Sequence, residues 1–337
     1  MSVASPTGYW SVKRGTMGQS ISPTPLPDFE VRIGAPDLYQ WRAGNTGIPG
    51  VTTRDSGRPG PHAVLVAITH GNEIAGAIVL DRLLRAGLMP SAGRISFVFA
   101  NLAAYDRFDP ARPTASRFVD EDLNRIWDES VLEGPRHSTE LNRARELRPL
   151  IDTADVLLDI HSMLWDADPL MLCGSSARGC ALARRIGAPP QIVADVGHAN
   201  GKRIIDYTRF VAPGADFAAN LVEAGLHWQP STVTVALSCV AGLLRGMGMV
   251  AADVVLPKSP TAPQRVAEVT QTVTAATNKF AFVQPWRGGD IVPERNTLLA
   301  LDGEAEVRTP HDECMLVMPS LRPTRGHTAV RLARFVG

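Results

Sequence analysis

Residues 63–68, AVLVAI, are apolar at every position and β-branched at intervals, the pattern of a strand buried on both faces of a sheet. Apolar residues then recur at Ile74, Ile78, Leu83 and Leu84, the spacing of one helix face, and the run stops near Gly87. A second apolar run at 95–100 completes a strand, helix, strand unit. The same texture continues, with strands predicted at 156–160, 170–173, 192–196 and 220–222 and helices near 138–151, 179–186 and 231–249. This alternation predicts an α/β fold, a sheet flanked by helices on both faces. Beyond residue 252 helical periodicity ceases. Short alternating runs such as VTQTVTA and AEVRT are divided by Pro285, Gly288, Gly289, Pro293, Gly303, Pro310 and Pro319, which predicts a small C-terminal β domain.

These patterns divide the chain into a leader at 1–28 rich in Ser, Thr, Pro and Gly, an α/β domain at 29–251 and the β domain at 252–337. Short strands within 29–55 are expected to join the main sheet, and Met17 is an alternative start. At 337 residues there is material for a large core. Basic and acidic residues balance at 34 each, so no global charge favours nucleic acid or an anionic membrane. No run approaches the ~18 apolar residues of a membrane span, and the leader lacks a signal-peptide core. Cys173, Cys180, Cys239 and Cys314 form no C-x-x-C pair. Free thiols and a cytoplasmic location are therefore expected. The oligomeric state is left open, a homo-oligomer included.

The stretch AITHGNEIAG places His70 and Glu73 three residues apart, just past the first buried strand. Two ligands of a three-residue zinc site could come from such a pair. Spacing alone is weak, because His137 and Glu140 repeat it in GPRHSTELNRARELR. That second pair sits in a polar stretch expected to be a solvated helix start, with Ser138 or Thr139 as N-cap. His70 instead lies at a strand's carboxyl end, where open α/β sheets form their binding crevices. The run LLDIHS ends another predicted strand in His161, a third candidate ligand or a structural histidine. Asp159, two residues earlier, could orient an imidazole or form a buried ion pair. Between these strands RFVDEDLNR concentrates charge, either as solvated surface or as arginine forks for carboxylates. Glu223 follows an apolar run and would serve, on residue type alone, as a partner for an arginine.

Four motifs in order, H-G-x-E at 70–73, R-x-x-x-x-D-L-N-R at 117–125, D-I-H-S at 159–162 and L-V-E-x-G at 221–225, resemble the succinylglutamate desuccinylase and aspartoacylase family, whose fold is like that of the zinc carboxypeptidases. The resemblance implies a mixed sheet flanked by helices, and one zinc per chain held by His70, Glu73 and His161. It implies Arg117 as the group steadying an oxyanion, Asn124 and Arg125 as the holders of a substrate carboxylate, and Glu223 as general base. The implied reaction is hydrolysis of the amide of an N-acyl amino acid or related small carboxylate-bearing amide by metal-activated water.

Other positions have no counterpart in the family pattern. His227 is a candidate substrate contact or proton carrier, against an ordinary structural histidine. Trp165 could line a pocket, and Asp166 or Asp168 could attract a cationic group. Tyr207 and Arg209, in DYTRF, are further substrate-binding candidates, and His198 a weaker one. The competing readings are a carboxypeptidase-like peptidase and a catalytically silent metal-binding member. A serine hydrolase lacks support, since there is no G-x-S-x-G.

Overall fold

The computed structural model describes residues 26–251, 254–257 and 263–336. Most of the expected leader, Met17 included, lies outside them. Met1–Glu30 and Val31–Gly337 are separate units, and the second carries everything below.

Among the described residues, eleven strands make one sheet and three make another. In chain order they are β1 (Val51–Asp55), β2 (His62–Ala67), β3 (Arg94–Phe99), β4 (Val156–Met163), β5 (Leu170–Leu172), β6 (Gln191–Ala194) and β7 (Ala218–Leu226). They continue as β8 (Arg265–Thr274), β9 (Phe280–Phe282), β10 (Ile291–Val292), β11 (Leu298–Asp302), β12 (Ala305–Arg308), β13 (Cys314–Val317) and β14 (Thr328–Val336). The helices are α1 (Ile74–Arg85), α2 (Leu102–Tyr105), α3 (Glu129–Leu132), α4 (Thr139–Ile151), α5 (Ala177–Ile186), α6 (Thr208–Val211) and α7 (Pro230–Gly246).

The large sheet runs β1-β3-β2-β4-β7-β5-β6-β8-β14-β13-β10. Its centre, β3-β2-β4-β7, is parallel, and β1 joins antiparallel at one edge. The strand β5 is antiparallel to β7 and parallel to β6, so the sheet is mixed. From β8 onward the added strands β14, β13 and β10 pair antiparallel. A separate antiparallel sheet, β12-β11-β9, lies in the C-terminal region. The expected mixed α/β sheet with a small C-terminal β sheet is therefore present.

Helices cover both faces because the strands are apolar on both. All six residues of β2 are buried, and each fully buried Val or Leu contributes roughly 1.5–3 kcal/mol. Leu141, Ala144, Leu147 and Ile151 of α4 pack with Val64, Val66 and Leu157 on one face, while α1 and α7 cover β4 from the other. Ser138 caps α4, its hydroxyl accepting from the Leu141 amide at 2.9 Å. Among the described residues no helix is long and apolar enough to cross a membrane.

Candidate functional site

The crevice opens at the carboxyl ends of the central parallel strands. Past β2 the chain turns at Ile68, which holds φ +52 while fully buried. A β-branched residue rarely adopts that conformation. Gly71 follows where space is absolute: an added Cβ would lie 2.4 Å from the Ala104 carbonyl carbon, and the Gly71 amide bonds to the Arg117 carbonyl at 3.0 Å. This tight turn aims His70 inward and puts Glu73 at the N-cap of α1. Glu73 caps nothing there. A side-chain cap is worth about 1 kcal/mol to a helix, and here the carboxylate is turned to other partners.

Those partners are imidazoles. His70 Nδ1 lies 2.8 Å from Glu73 Oε1 and His161 Nδ1 lies 3.0 Å from Glu73 Oε2. All three residues are buried, with candidate ligand atoms within 4.8 Å of one another. The far nitrogen of each ring meets a carboxylate, His70 Nε2 with Asp122 at 2.8 Å and His161 Nε2 with Asp159 at 2.7 Å. Asp159 is steadied by the Thr69 hydroxyl at 2.8 Å. Carboxylates on the outer nitrogens orient metal-binding histidines in this way, so the donor set fits a divalent cation. Burial pushes the Glu73 carboxyl up, but the two imidazoles outweigh it and hold it well below the usual range. Burial disfavours a charged His161, yet Asp159 and Glu73 raise its proton affinity well above ordinary. A cation in the space between these groups would meet the same negative field that raises the proton affinity of His161.

Glu223 stands apart in its chemistry. It pairs in register with His161 across β4 and β7, is buried, and its Oε2 has no hydrogen-bond partner. Burial, reinforced by the charge of Glu73, pushes its carboxyl up to about 8. Arg117, half-buried, donates to Glu73 Oε1 at 3.1 Å and lies 3.5 Å from Asp122. The RFVDEDLNR loop is anchored from below by Glu140. That buried carboxylate accepts the backbone amides of Val119, Asp120 and Glu121. The expectation of a solvated helix face is corrected here: His137 is exposed, but Glu140 is fully buried because it organises the loop.

One cavity of about 410 Å³ gathers His70, Glu73, Arg117, Asn124, Arg125, His161, Trp165, Glu223 and His227. Asn124 is fixed by accepting the Ile204 amide at 2.9 Å. At the cationic end Arg125 and Arg331 both point at the His198 imidazole, at 3.2 and 2.7 Å. Arg203, fully buried, takes Asp195 through two hydrogen bonds and Asp206 through others. Arg331 is left with Asp195 at 3.6 Å and a buried Nε without a hydrogen bond. Burial and the neighbouring Arg331 hold His198 neutral, its proton affinity far below ordinary. His227 is likewise pushed down, to about 4, mainly by burial.

Four sequence candidates, Tyr207, Arg209, Asp166 and Asp168, fall outside this cavity. The Tyr207 hydroxyl bonds Asp152 at 2.8 Å and accepts from Arg148 at 3.0 Å. Arg209 donates to the Ala154 carbonyl at 2.7 Å and stacks on Phe217. Both are consumed by these contacts. Asp166 and Asp168 also have a structural partner, Arg287, at 2.8 and 2.6 Å. They tie the loop after β4 to the C-terminal region, where Ala167 bridges Gly288. Sequence reasoning missed Arg331 and Arg203. The signal for Arg331 was an arginine inside an apolar run, AVRLA.

Fold and cluster define a mixed α/β protein with a candidate metal centre in the crevice of its sheet. Residues 59–202 match the model of the succinylglutamate desuccinylase/aspartoacylase catalytic domain. It is 38% identical over 96 residues to a succinylglutamate desuccinylase of Pseudoalteromonas atlantica, an alignment covering 26% of this chain and 25% of that relative. The chain thus matches about a quarter of the length of that curated relative. Among solved structures, a succinylglutamate desuccinylase/aspartoacylase from Rhodobacter sphaeroides superposes with TM-score 0.64 at 19% identity, covering 85% of this chain and 89% of the other. The succinylglutamate desuccinylase of Vibrio cholerae gives 0.63 at 17% identity over 85% of each chain. A product-bound ectoine utilization protein from Ruegeria pomeroyi gives 0.58 at 18% identity, covering 85% and 88%. At these identities the likeness is one of fold.

Proposed function

We propose that this chain is a zinc-dependent amidohydrolase cleaving the amide of an N-acyl amino acid or a related small amide that bears a carboxylate. One observation carries the reading: a buried His-Glu-His cluster faces, in strand register, a buried carboxyl whose proton affinity is raised and whose Oε2 is unpartnered. His70, Glu73 and His161 would hold a single zinc ion. Bound there, zinc would supply Lewis acidity and bring the pKa of water toward ~7.

The protein's own groups do the rest. Glu223 accepts a proton from water and returns it to the departing amine, a role worth about 10²- to 10⁴-fold. Arg117 reaches the same space and donates to the oxyanion as charge develops. Asn124 and Arg125, joined by Arg331, hold the substrate carboxylate, which fixes the scissile amide over the cluster. Trp165 and His227 complete the wall on the acyl side. Met318, Pro319 and Arg331 from the C-terminal region line the cavity, which favours a small substrate over a peptide chain. The retained Glu223 argues against a silent member. Four free thiols fit a reducing compartment, and we place the protein in the cytoplasm on that ground.

The test is metal analysis of the purified protein followed by a panel of N-acyl amino acids and short peptides. We expect a single zinc per chain and hydrolysis of acyl amino acids but not peptides. Absence of bound or activating metal removes the reading, and preferential peptide cleavage replaces it with the peptidase.

A further inference from the structure

The strand bearing Glu223 ends in a way that holding a metal and a base does not require. Between the register pairs His161–Glu223 and Met163–Leu226, β7 advances three residues where β4 advances two. It therefore carries an extra residue, a bulge of the kind that re-aims a side chain beside a site. Gly225 sits in it at φ +133. Trp228, just beyond, holds φ +60, an outlier for so bulky a residue. Three hydrogen bonds impose this turn: the Trp228 indole to the Asn72 carbonyl at 2.9 Å, the Arg32 amide to the Trp228 carbonyl at 3.0 Å, and the His227 amide to the Met163 carbonyl at 2.7 Å. Backbone strain so heavily over-determined is characteristic of functional positions.

The turn delivers His227 to the cavity wall. Its Nδ1 lies 2.6 Å from the Ser162 hydroxyl, while the Ser162 amide donates to Glu73 Oε2 at 3.0 Å. That hydroxyl has no other hydrogen bond among the described residues, and the contact is satisfied with its proton directed at Nδ1. The ring proton then resides on Nε2, which bonds to no described residue.

We propose that Ser162 and His227 form a donor pair, in which the neutral imidazole offers its Nε2–H to the acyl oxygen of the substrate alongside Arg117. The inference rests on the amidohydrolase reading of the site. The carboxylate end is gathered about Asn124, Arg125 and Arg331, whereas Ser162 ties His227 to Glu73, next to where the scissile amide lies. A neutral imidazole polarises a carbonyl there without adding a second cation beside Arg117. No proton is transferred by the pair; it donates a hydrogen bond that strengthens as the oxygen gains charge.

The experiment uses the full-length zinc-loaded protein and the best N-acyl amino acid of the panel. His227→Ala lowers kcat by about 10²- to 10³-fold with KM and metal content unchanged, and His227→Gln, which restores an N–H donor, recovers about tenfold of the loss. Ser162→Ala keeps the backbone donor to Glu73, retains zinc and loses about tenfold in kcat. Independently of turnover, nitrogen-15 NMR of the imidazoles at neutral pH finds His227 protonated on Nε2 and bare on Nδ1, and Ser162→Ala loses that single-tautomer signature. A change confined to KM, equal losses in the Ala and Gln variants at full metal content, or a proton on Nδ1 overturns the donor pair. A metal-loaded wild type that hydrolyses no N-acyl amino acid refutes the amidohydrolase reading instead, and the tautomer measurement still decides whether Ser162 sets the imidazole.

Discussion

Replacing Glu223 with Gln should make the metal-free protein more stable above neutral pH while abolishing turnover of the zinc-loaded form. The carboxyl's ordinary value is 4.5, and burial beside the Glu73 charge raises it to about 8 in the fold. A group raised in this way binds a proton more tightly folded than unfolded. Stability is therefore full below pH 4.5, declines as pH rises, and has lost this contribution once pH passes about 8. At about 1.4 kcal/mol per tenfold difference in proton affinity, the gap corresponds to a penalty on the order of 5 kcal/mol. Glutamine, neutral and of the same shape, escapes it. The assay is urea unfolding of both metal-free proteins from about pH 5 to 9, taking the difference between them so that other titrating groups cancel. The curves should diverge steadily toward high pH, and zinc should shrink the divergence because a dication stabilises the carboxylate's charge. A difference that stays flat across the range would show that Glu223 ionises without cost and refute the buried-base argument.

His161→Ala should lose bound metal whereas His137→Ala keeps it, since only His161 lies in the cluster; equal metal contents would dissolve the assignment. Arg331→Gln should raise KM for carboxylate substrates at least about tenfold, the value of one charge-assisted hydrogen bond, with kcat and metal content little changed; an unaltered KM would remove it from the substrate site. Glu140→Gln should destabilise the fold by about 1–3 kcal/mol in urea, because an amide NH₂ is forced against backbone N–H donors, and should also weaken substrate binding through Asn124 and Arg125. A wild-type urea midpoint would mean that the loop is anchored elsewhere.

The central strands were legible because they are buried on both faces and therefore nearly uninterrupted in apolar character. The placement of His70, His161 and Glu223 at their ends followed from the same pattern. Glu140 was misread because an acid in a polar helix start usually faces water, and nothing local shows that three backbone amides will descend on it. Tyr207 and Arg209 were misplaced for a related reason: a short polar stretch between strands gives no sign of which face it packs against. Arg331 and Arg203 escaped notice because their roles depend on sheet order. Arg331 reaches the cavity through β14, about a hundred residues beyond the nearest candidate motif at 221–225, and no spacing rule encodes that approach.

The uninterrupted run of the large sheet from β6 into β8 and β14 has a bearing on how the chain must be handled. A fragment ending before residue 265 would leave β6 without its parallel neighbour, converting an interior strand into an open edge of unpaired amides and carbonyls. Such an edge recruits strands from other molecules, so truncation to the segment matched by the family model invites aggregation rather than a smaller working protein. During synthesis the same edge waits unpaired until β8 emerges, which makes the last quarter of the chain a safeguard of solubility as well as a wall of the site.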